Sequence, residues 1–306
     1  MTESKKAAIV GATGPTGNHL ARILVERNER VRVISRSASN LARCFPDELV
    51  EKIAADATDE SATARALEGC DLVYDCIGLP GELIAQHPVT ARSIAKATRD
   101  SGARCVQISS YWAYLPIVTL PLTENHPRVG GPEWSRYRRE AEDILQDAGA
   151  CVLHLPDFYG PYVHTSTIQN ALIDAANHRP MNWIGGADVE RELIYVPDAM
   201  RIAAEIATRG DAFGERYVLP GSGAIAGAEV ARLAGGKLRA ASPMLLRLVS
   251  LFDKNLRGFM PMVPHYARTI TYDASKLRAL IGAIPMTPYA EGIRQTLDSI
   301  SRAATR

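Results

Sequence analysis

Short apolar runs of strand type alternate, through the first half of the chain, with stretches in which apolar residues recur every three or four positions. Ala7 to Val10, Val31 to Ser35, Val50 to Ala55, Asp71 to Gly78, Arg104 to Ser110 and Cys151 to Leu155 read as strands. Between them, helical patterns run from about Asn18 to Arg27, Asn40 to Cys44, Ser61 to Leu67, Pro88 to Ser101 and Glu133 to Ala148. Strands and helices alternating at this spacing predict right-handed βαβ crossovers, hence an α/β fold with a doubly wound parallel sheet. After Pro156 the rhythm changes. A helix from Thr165 to Asn177, a short strand near Trp183-Ile184 and a strand from Glu192 to Val196 precede a helix that Asp198 is placed to N-cap. Tyr217 to Leu219 is a further strand, and the remaining third reads as mainly helical, ending in a helix from about Tyr289 to Ile300.

The first crossover carries the most informative spacing. Ala7-Ala8-Ile9-Val10 runs into Gly11-Ala12-Thr13-Gly14-Pro15-Thr16-Gly17, three glycines at three-residue intervals between a strand and a helix. Gly11 suits a turn that a side chain would block, Gly14 lets the backbone approach phosphates, and Gly17 lets the helix pack closely on the strand. The helix N-terminus offers free N–H groups and the positive end of a dipole to a pyrophosphate. This is a dinucleotide site, and Arg36 says which one. An acidic residue at the end of the second strand takes a ribose 2′-hydroxyl, whereas an arginine accommodates a 2′-phosphate. Asp and Glu are absent from Ser35 to Asn40, and Ser35 and Ser37 add hydroxyls, so NADP(H) is expected over NAD(H).

Composition narrows the class without naming a reaction. The 306 residues carry a formal net charge of +1, which gives no electrostatic footprint for nucleic acid. No apolar stretch approaches the roughly 20 residues that span a bilayer. Met1 to Lys6 is polar and lacks the apolar core of a secretory signal, so a soluble cytoplasmic protein acting on a small molecule is expected. The five cysteines have no metal-type spacing and read as reduced and structural. His126, His164 and His178 also lack ligand spacing, so no metal is expected. Met244 to Met260, apolar and basic, reads as a helix packed on the core or covering a pocket rather than as a membrane-surface helix.

The glycine pattern with Thr13 before its middle glycine resembles the short-chain dehydrogenase/reductases, especially their extended and atypical branches, which include epimerase/dehydratase-like proteins. Later motifs extend the resemblance over most of residues 7 to 220. It implies a Rossmann domain at 1–160 with 191–220, and a substrate lobe at 161–190 with 221–306. Asp56-Ala57 matches the adenine contact, and Ile77-Gly78 the backbone passage beside the cofactor ribose. In Ser109-Ser110-Tyr111-Trp112-Ala113-Tyr114 a serine precedes a tyrosine by four residues; the resemblance assigns Ser110 to the substrate oxygen and Ser109 to the cofactor wall. Thr123-Glu124-Asn125-His126-Pro127 is similar to the acidic loop that follows. Pro156-Asp157-Phe158 opens the segment that packs on the nicotinamide. Tyr195-Val196-Pro197-Asp198 resembles a structural strand–helix junction, and a homodimer is the family habit.

The catalytic signature departs from that pattern. The family's Tyr-x-x-x-Lys puts both side chains on one helix face, the lysine lowering a phenol pKa from about 10 towards working pH. Here the helix reads Trp134-Ser135-Arg136-Tyr137-Arg138-Arg139-Glu140-Ala141-Glu142. Tyr137 has Ala141 four residues on. Aligning Glu142 with the family glutamate instead puts Trp134 at the tyrosine and Arg138 at the lysine. Either Tyr137 is the acid, with Arg138 or Arg139 supplying positive charge, or other groups serve. Tyr111, Tyr114, Tyr159 and His154 are substitutes, and Asp157 with Tyr159 lies where nicotinamide and substrate meet. Two functions follow: an NADP(H)-dependent oxidoreductase or epimerase/dehydratase-like enzyme acting on a carbonyl or alcohol, or a non-catalytic NADP(H)-binding sensor or assembly factor. Trp183, Leu245, Leu246, Phe252 and Phe259 hint at a hydrophobic substrate.

Overall fold

The computed structural model describes residues 5–164, 166–241, 243–252 and 254–304. Its strands are β1 (Lys6–Val10), β2 (Arg30–Ser35), β3 (Val50–Ala54), β4 (Leu72–Asp75), β5 (Arg104–Ser110), β6 (Cys151–Leu155), β7 (Asp157–Tyr159), β8 (Met181–Ile184), β9 (Glu190–Tyr195), β10 (Arg216–Val218), β11 (Ala224–Ala226) and β12 (Leu238–Ala241). The helices of the first half are α1 (Pro15–Glu26), α2 (Ala38–Cys44), α3 (Glu60–Leu67), α4 (His87–Ser101) and α5 (Glu133–Asp147). They are followed by α6 (Thr167–Ala176), α7 (Val196–Ile206), α8 (Gly227–Leu233), α9 (Pro243–Ser250), α10 (Lys254–Phe259), α11 (Val263–Tyr266), α12 (Ser275–Ile281) and α13 (Tyr289–Ala304).

Seven parallel strands form the central sheet in the order β10-β6-β5-β4-β1-β2-β3. Successive side chains of a strand point to opposite faces, and both faces of β1 are covered. Ala7 and Ile9 pack with Leu20 and Leu24 of α1 and Met200 of α7, while Ala8 and Val10 pack with Ile94 of α4 and Leu145 of α5. The chain winds outward through β2 and β3 on one side of β1 and through β4, β5 and β6 on the other. That reversal opens a crevice at the carboxyl ends of β1 and β4, where ligands of such sheets bind. Local chemistry sets the helix starts. Ser37, Asp59 and Ser166 accept the amides of Asn40, Ala62 and Gln169 at the N-termini of α2, α3 and α6. Gly102, at φ +74°, ends α4.

The second half is built on two smaller sheets, β11-β9-β7 and β12-β8. Trp183, Leu172, Val230 and Ile293 form its core with Tyr159 and Tyr195. β10 nevertheless returns to the main sheet beside β6, and β9 joins the smaller one. Three strands have no clear sequence signal. β7 and β11 are three residues long, and β12 is a largely exposed edge whose pairing with β8 comes from elsewhere in the chain. The expected helix start at Thr165 falls outside the described residues. Asp198 does not cap its helix. α7 begins at Val196 with Pro197 in its first turn, and the buried Asp198 carboxylate instead accepts the Thr287 amide (2.7 Å) and hydroxyl (2.9 Å). It joins α7 to the segment ahead of α13. Met244 to Met260 departs in part: Phe259 packs on Tyr266, but Met244, Leu248, Leu251 and Phe252 are 80, 58, 62 and 87% exposed rather than covering a core. No helix among the described residues is long and apolar enough to cross a membrane.

Candidate active site

The turn after β1 has the tight geometry its glycines imply. Gly11 lies at φ +79°, and a Cβ there would stand 2.8 Å from the Cys76 carbonyl oxygen, just beyond β4. A Cβ on Gly17 would meet the Ala12 Cα at 2.6 Å and the Gly11 oxygen at 2.7 Å. Both are closer than packed atoms approach, so α1 sits against the turn only because side chains are missing. Gly14 is the N-cap and offers no capping side chain, Pro15 follows, and the first turn holds no acid. The amides of Thr16 and Gly17 have no carbonyl one turn back within α1, and the dipole end faces the crevice. Thr13 Oγ1 and Ser35 Oγ, 3.0 Å apart, tie the turn to the end of β2.

Arg36 follows β2 and is exposed, with no hydrogen bond or ion pair among the described residues. Asp56 is nearby after β3. Its carboxylate accepts both the amide and the hydroxyl of Thr58 at 2.9 Å, and those bonds, the amide's first, lower its pKa, with Arg36 adding a smaller attraction. Ala57 is buried behind it. Gly78 is exposed with open space where a Cβ would be, and Ile77 donates its amide to Asp75 Oδ1 at 3.1 Å. Asp75 is a site residue the spacing did not single out. It is buried at the end of β4, accepts Gln107 Nε2 at 3.3 Å, and burial pushes its pKa up to about 6.

The structure parts Tyr137 from Arg138. Tyr137 donates to Glu133 Oε1 at 3.0 Å on the exposed side of α5, with the Arg136 guanidinium over its ring. The inward face carries Trp134, Arg138 and Glu142 at four-residue spacing. Trp134 packs on Trp112 at 4.9 Å between centroids, and the Arg138 guanidinium lies over Trp112 at 5.6 Å. Arg138 Nε and Trp112 Nε1 are buried without a hydrogen-bond partner. Arg138 is drawn to Glu142 and Asp75, although burial is the larger influence and lowers its pKa. Its charge also opposes protonation of His87, which burial first and Arg138 second hold down to about 3.

Beneath α5 lies a network that the sequence did not reveal. Glu142 is fully buried and accepts from Ser109 Oγ, His154 Nε2 (3.1 Å) and Arg128 Nη2 (2.6 Å). Burial works to raise its pKa, but the attraction of His154 and the bonds from His154, Arg128 and Ser109 win and hold it down to about 2. The Ser109 hydroxyl is therefore committed to α5 rather than turned to a cofactor. His154 is also in the core, its Nδ1 3.4 Å from the Tyr114 hydroxyl. Tyr159 belongs to the second core, packed on Tyr195 and Tyr289, where a Cβ on Gly292 would touch its hydroxyl.

Ser110 is placed differently. It ends β5 opposite Leu155, and its Oγ accepts the Trp112 amide at 3.3 Å, which leaves its proton free to donate. The next residue, buried Tyr111, donates to Asp157 Oδ2 at 3.3 Å, and Tyr266 reaches Asp157 Oδ1 at 3.4 Å from α11. Asp157 thus joins the main sheet to the second half of the chain. Burial raises its pKa, while Arg191 and the two tyrosines oppose the rise. Arg191, 4% exposed on β9, stacks on Trp183 and Tyr266, each 4.7 Å from its guanidinium carbon. Its Nε and Nη1 have no hydrogen-bond partner. Pro156 is buried, and Phe158 packs against the sheet core.

Residues 11–151 match the NAD(P)H-binding family. Solved structures share the whole architecture. UDP-glucuronic acid 4-epimerase from Bacillus cereus, in complex with UDP-glucuronic acid and NAD, superposes with a TM-score of 0.81 at 15% identity, covering 97% of this chain and 99% of that one. The epimerase Mth375 of Methanothermobacter thermautotrophicus gives 0.83 at 16% identity, over 99% and 94%. Residues 11–151 are thus an NAD(P)H-binding domain, and the chain as a whole has the Rossmann fold of these epimerases. Two curated proteins are similar in sequence. Sterol demethylase protein B of Methylococcus capsulatus is 25% identical over 231 residues, 70% of this chain and 69% of that protein. Ceramide reductase of Caulobacter vibrioides is 28% identical over 199 residues, 63% and 57%. Together these show an NAD(P)H-binding domain in a chain that shares its fold with NAD-bound epimerases and some sequence with sterol demethylase protein B and a ceramide reductase.

The Rossmann crevice fits a dinucleotide. Gly11 and Gly17 leave a cradle that a Cβ would close, and the uncapped, acid-free N-terminus of α1 faces it. The unpartnered Arg138 Nε and Trp112 Nε1, with Ser110 beyond them, provide polar groups along the ends of β4 and β5. Arg36, on the β2 side, has its guanidinium in solvent. What the arrangement lacks is a tyrosine–lysine pair on α5.

Proposed function

We propose that the protein is an NADP(H)-dependent oxidoreductase that reduces a carbonyl, or oxidises the corresponding alcohol, on an apolar substrate. Gly11, Gly14, Gly17 and the amides of Thr16 and Gly17 hold the pyrophosphate, and Arg36 takes the 2′-phosphate. A nicotinamide cofactor held there would supply the hydride chemistry. Ser110 donates a hydrogen bond to the substrate oxygen. Asp157, in contact with Tyr111 and Tyr266 and with its pKa raised by burial, is the proton reservoir that the α5 tyrosine provides elsewhere. Burial raises a carboxyl pKa towards working pH, which is the condition for general acid catalysis. Arg138 supplies the fixed positive charge. It cannot shuttle a proton, because a guanidinium stays charged.

The observation that carries this reading is the buried Tyr111–Asp157–Tyr266 cluster beside Ser110, a set of proton-handling groups where chemistry is expected. The apolar substrate class is supported by the two sequence relatives, named for a sterol and a ceramide. A second reading, an NADP(H) sensor without turnover, is favoured by Trp134 and Arg138 standing where tyrosine and lysine would act. Titration with NADPH and NADH, followed by NADPH oxidation against long-chain ketones and sterol ketones, separates the two. Tight NADPH binding with turnover supports the enzyme, tight binding without turnover on any of them supports the sensor, and binding of neither cofactor overturns both.

A further inference from the structure

The apolar face of α9 points the wrong way for a soluble protein. Met244, Leu248, Leu251 and Phe252 lie at intervals of four, three and one, so they share one side of the helix and its terminal turn. All four are exposed, whereas Ser250 on the opposite side is buried and Leu246 half-buried. Singly exposed apolar side chains are ordinary, but four in a row on one helix face mark a surface that meets something. Nor is the face a frayed end. Arg257 of α10 reaches back to the Ser250 and Leu251 carbonyls at 3.0 and 2.5 Å and holds the turn in place.

Charge indicates what that something is. From Lys237 to Arg268 the chain has six lysines and arginines against one acid, Asp253, although the whole chain is only +1. Arg247 on α9 and Arg257, which binds its terminal turn, are exposed, as are Lys237 and Arg239 at the strand before it and Arg268 in the segment after it. An apolar helix face set among basic residues matches a bilayer surface, whose headgroups are anionic and whose acyl boundary is apolar. We propose that α9 and its terminal turn dock this protein on an anionic phospholipid surface. The contact is peripheral: the helix lies in the headgroup boundary and does not span the membrane. This inference rests on the outer face of α9 and is independent of the activity proposed above.

The test is sedimentation of the full chain with vesicles of phosphatidylcholine alone, and of phosphatidylcholine with about one third phosphatidylglycerol. The anionic vesicles should retain roughly tenfold more protein than the neutral ones, and added salt should release it. A Leu248→Asp/Phe252→Asp variant should stay in the supernatant while keeping its NADPH affinity, which shows that it is folded. Should that variant misfold, Phe252→Trp serves instead, with its emission shifting to the blue on anionic vesicles. The proposal fails if the unmodified protein ignores both vesicle types, if the double variant binds as well as the parent, or if the Phe252→Trp emission stays fixed. It fails equally if the aspartates turn a dimer into a monomer without any vesicle binding, because the face is then a contact between two copies.

Discussion

The two halves of the site are made by different means. At the phosphate end the backbone does the recognising: close approach at Gly11 and Gly17 and the open N-terminus of α1 create the cradle within seven consecutive residues. At the proposed chemical end side chains must converge from distant parts of the chain. Tyr111 and Asp157 are 46 residues apart, and Asp157 and Tyr266 are 109 apart. The first kind of site tolerates little change, because any Cβ closes it. The second can be built from various elements: α5 here presents an indole and a guanidinium, while Tyr111 after β5, Asp157 on β7 and Tyr266 on α11 form the proposed acid cluster.

The change expected to matter most tests the side-chain half. Asp157→Asn keeps the shape but removes the proton, and turnover should fall by roughly 10²–10⁴, the range for loss of a general acid. NADPH affinity should hold. In the unmodified enzyme, reduction should slow as pH rises through the elevated Asp157 pKa, since only the protonated form donates. The Asp157→Asn change should flatten that limb; a variant that keeps both rate and pH profile removes Asp157 from the mechanism.

Glu142 asks whether the buried network is a scaffold or part of the chemistry. Its folded pKa of about 2 lies below the ordinary 4.5, so its contribution to stability is complete above about pH 4.5 and is lost as pH falls towards 2. Asp75 works in the opposite sense: its pKa is raised to about 6, so ionising it costs stability as pH climbs from about 4 to 6. Glu142→Gln leaves Arg128 without its counter-charge and weakens the bonds from His154 and Ser109, and should cost on the order of 3 kcal/mol. Denaturant unfolding at neutral pH and at pH near 3 should show that difference shrinking in acid. If the folded variant also loses turnover far beyond any loss of cofactor affinity, the network belongs to the chemistry.

How much of this was legible in the sequence follows the same division. The strand–turn–helix unit, the parallel sheet and the N-caps at Ser37 and Asp59 depend on neighbours a few residues away, so periodicity and spacing predict them. β5 and β6 fall within the stretches that the pattern marks. β7, β9 and β11 pair across long separations, so β7 and β11 have no local signal, and β9 reads as part of the first domain although it pairs in the second sheet. Asp198 is instructive. An aspartate after a proline at a strand end reads as an N-cap, but its carboxylate is taken by Thr287, which no local rule could nominate. Arg191 gives no signal for a related reason, since a charge in a strand looks solvated until its burial is known, and Glu142 reads only as a register mark on α5.

Arg36 sharpens the backbone half. Its guanidinium is exposed beside the β2 end with no partner among the described residues, and on the proposed reading it takes a 2′-phosphate there. Arg36→Ala should weaken NADPH by roughly 10- to 100-fold, the value of one charge-assisted bond of about 1.5–3 kcal/mol, and leave NADH nearly unchanged. Equal loss for both cofactors in a fluorescence titration would detach Arg36 from cofactor choice.

The smallest effect is expected at the residue that spacing alone puts forward. Tyr137 lies on the outer side of α5, where its hydroxyl meets Glu133 and its ring meets Arg136, while Trp134 and Arg138 occupy the inward positions. Tyr137→Phe removes one exposed hydrogen bond and should change stability by less than about 0.5 kcal/mol and turnover not at all. Trp134→Tyr is its counterpart, because it puts a phenol on the face that Arg138 shares. If turnover collapses in Tyr137→Phe, α5 must rotate when cofactor and substrate bind, and the chemistry returns to the family helix. If turnover survives there and rises in Trp134→Tyr, the inward face is the catalytic register and Arg138 the charge it was missing a phenol to use.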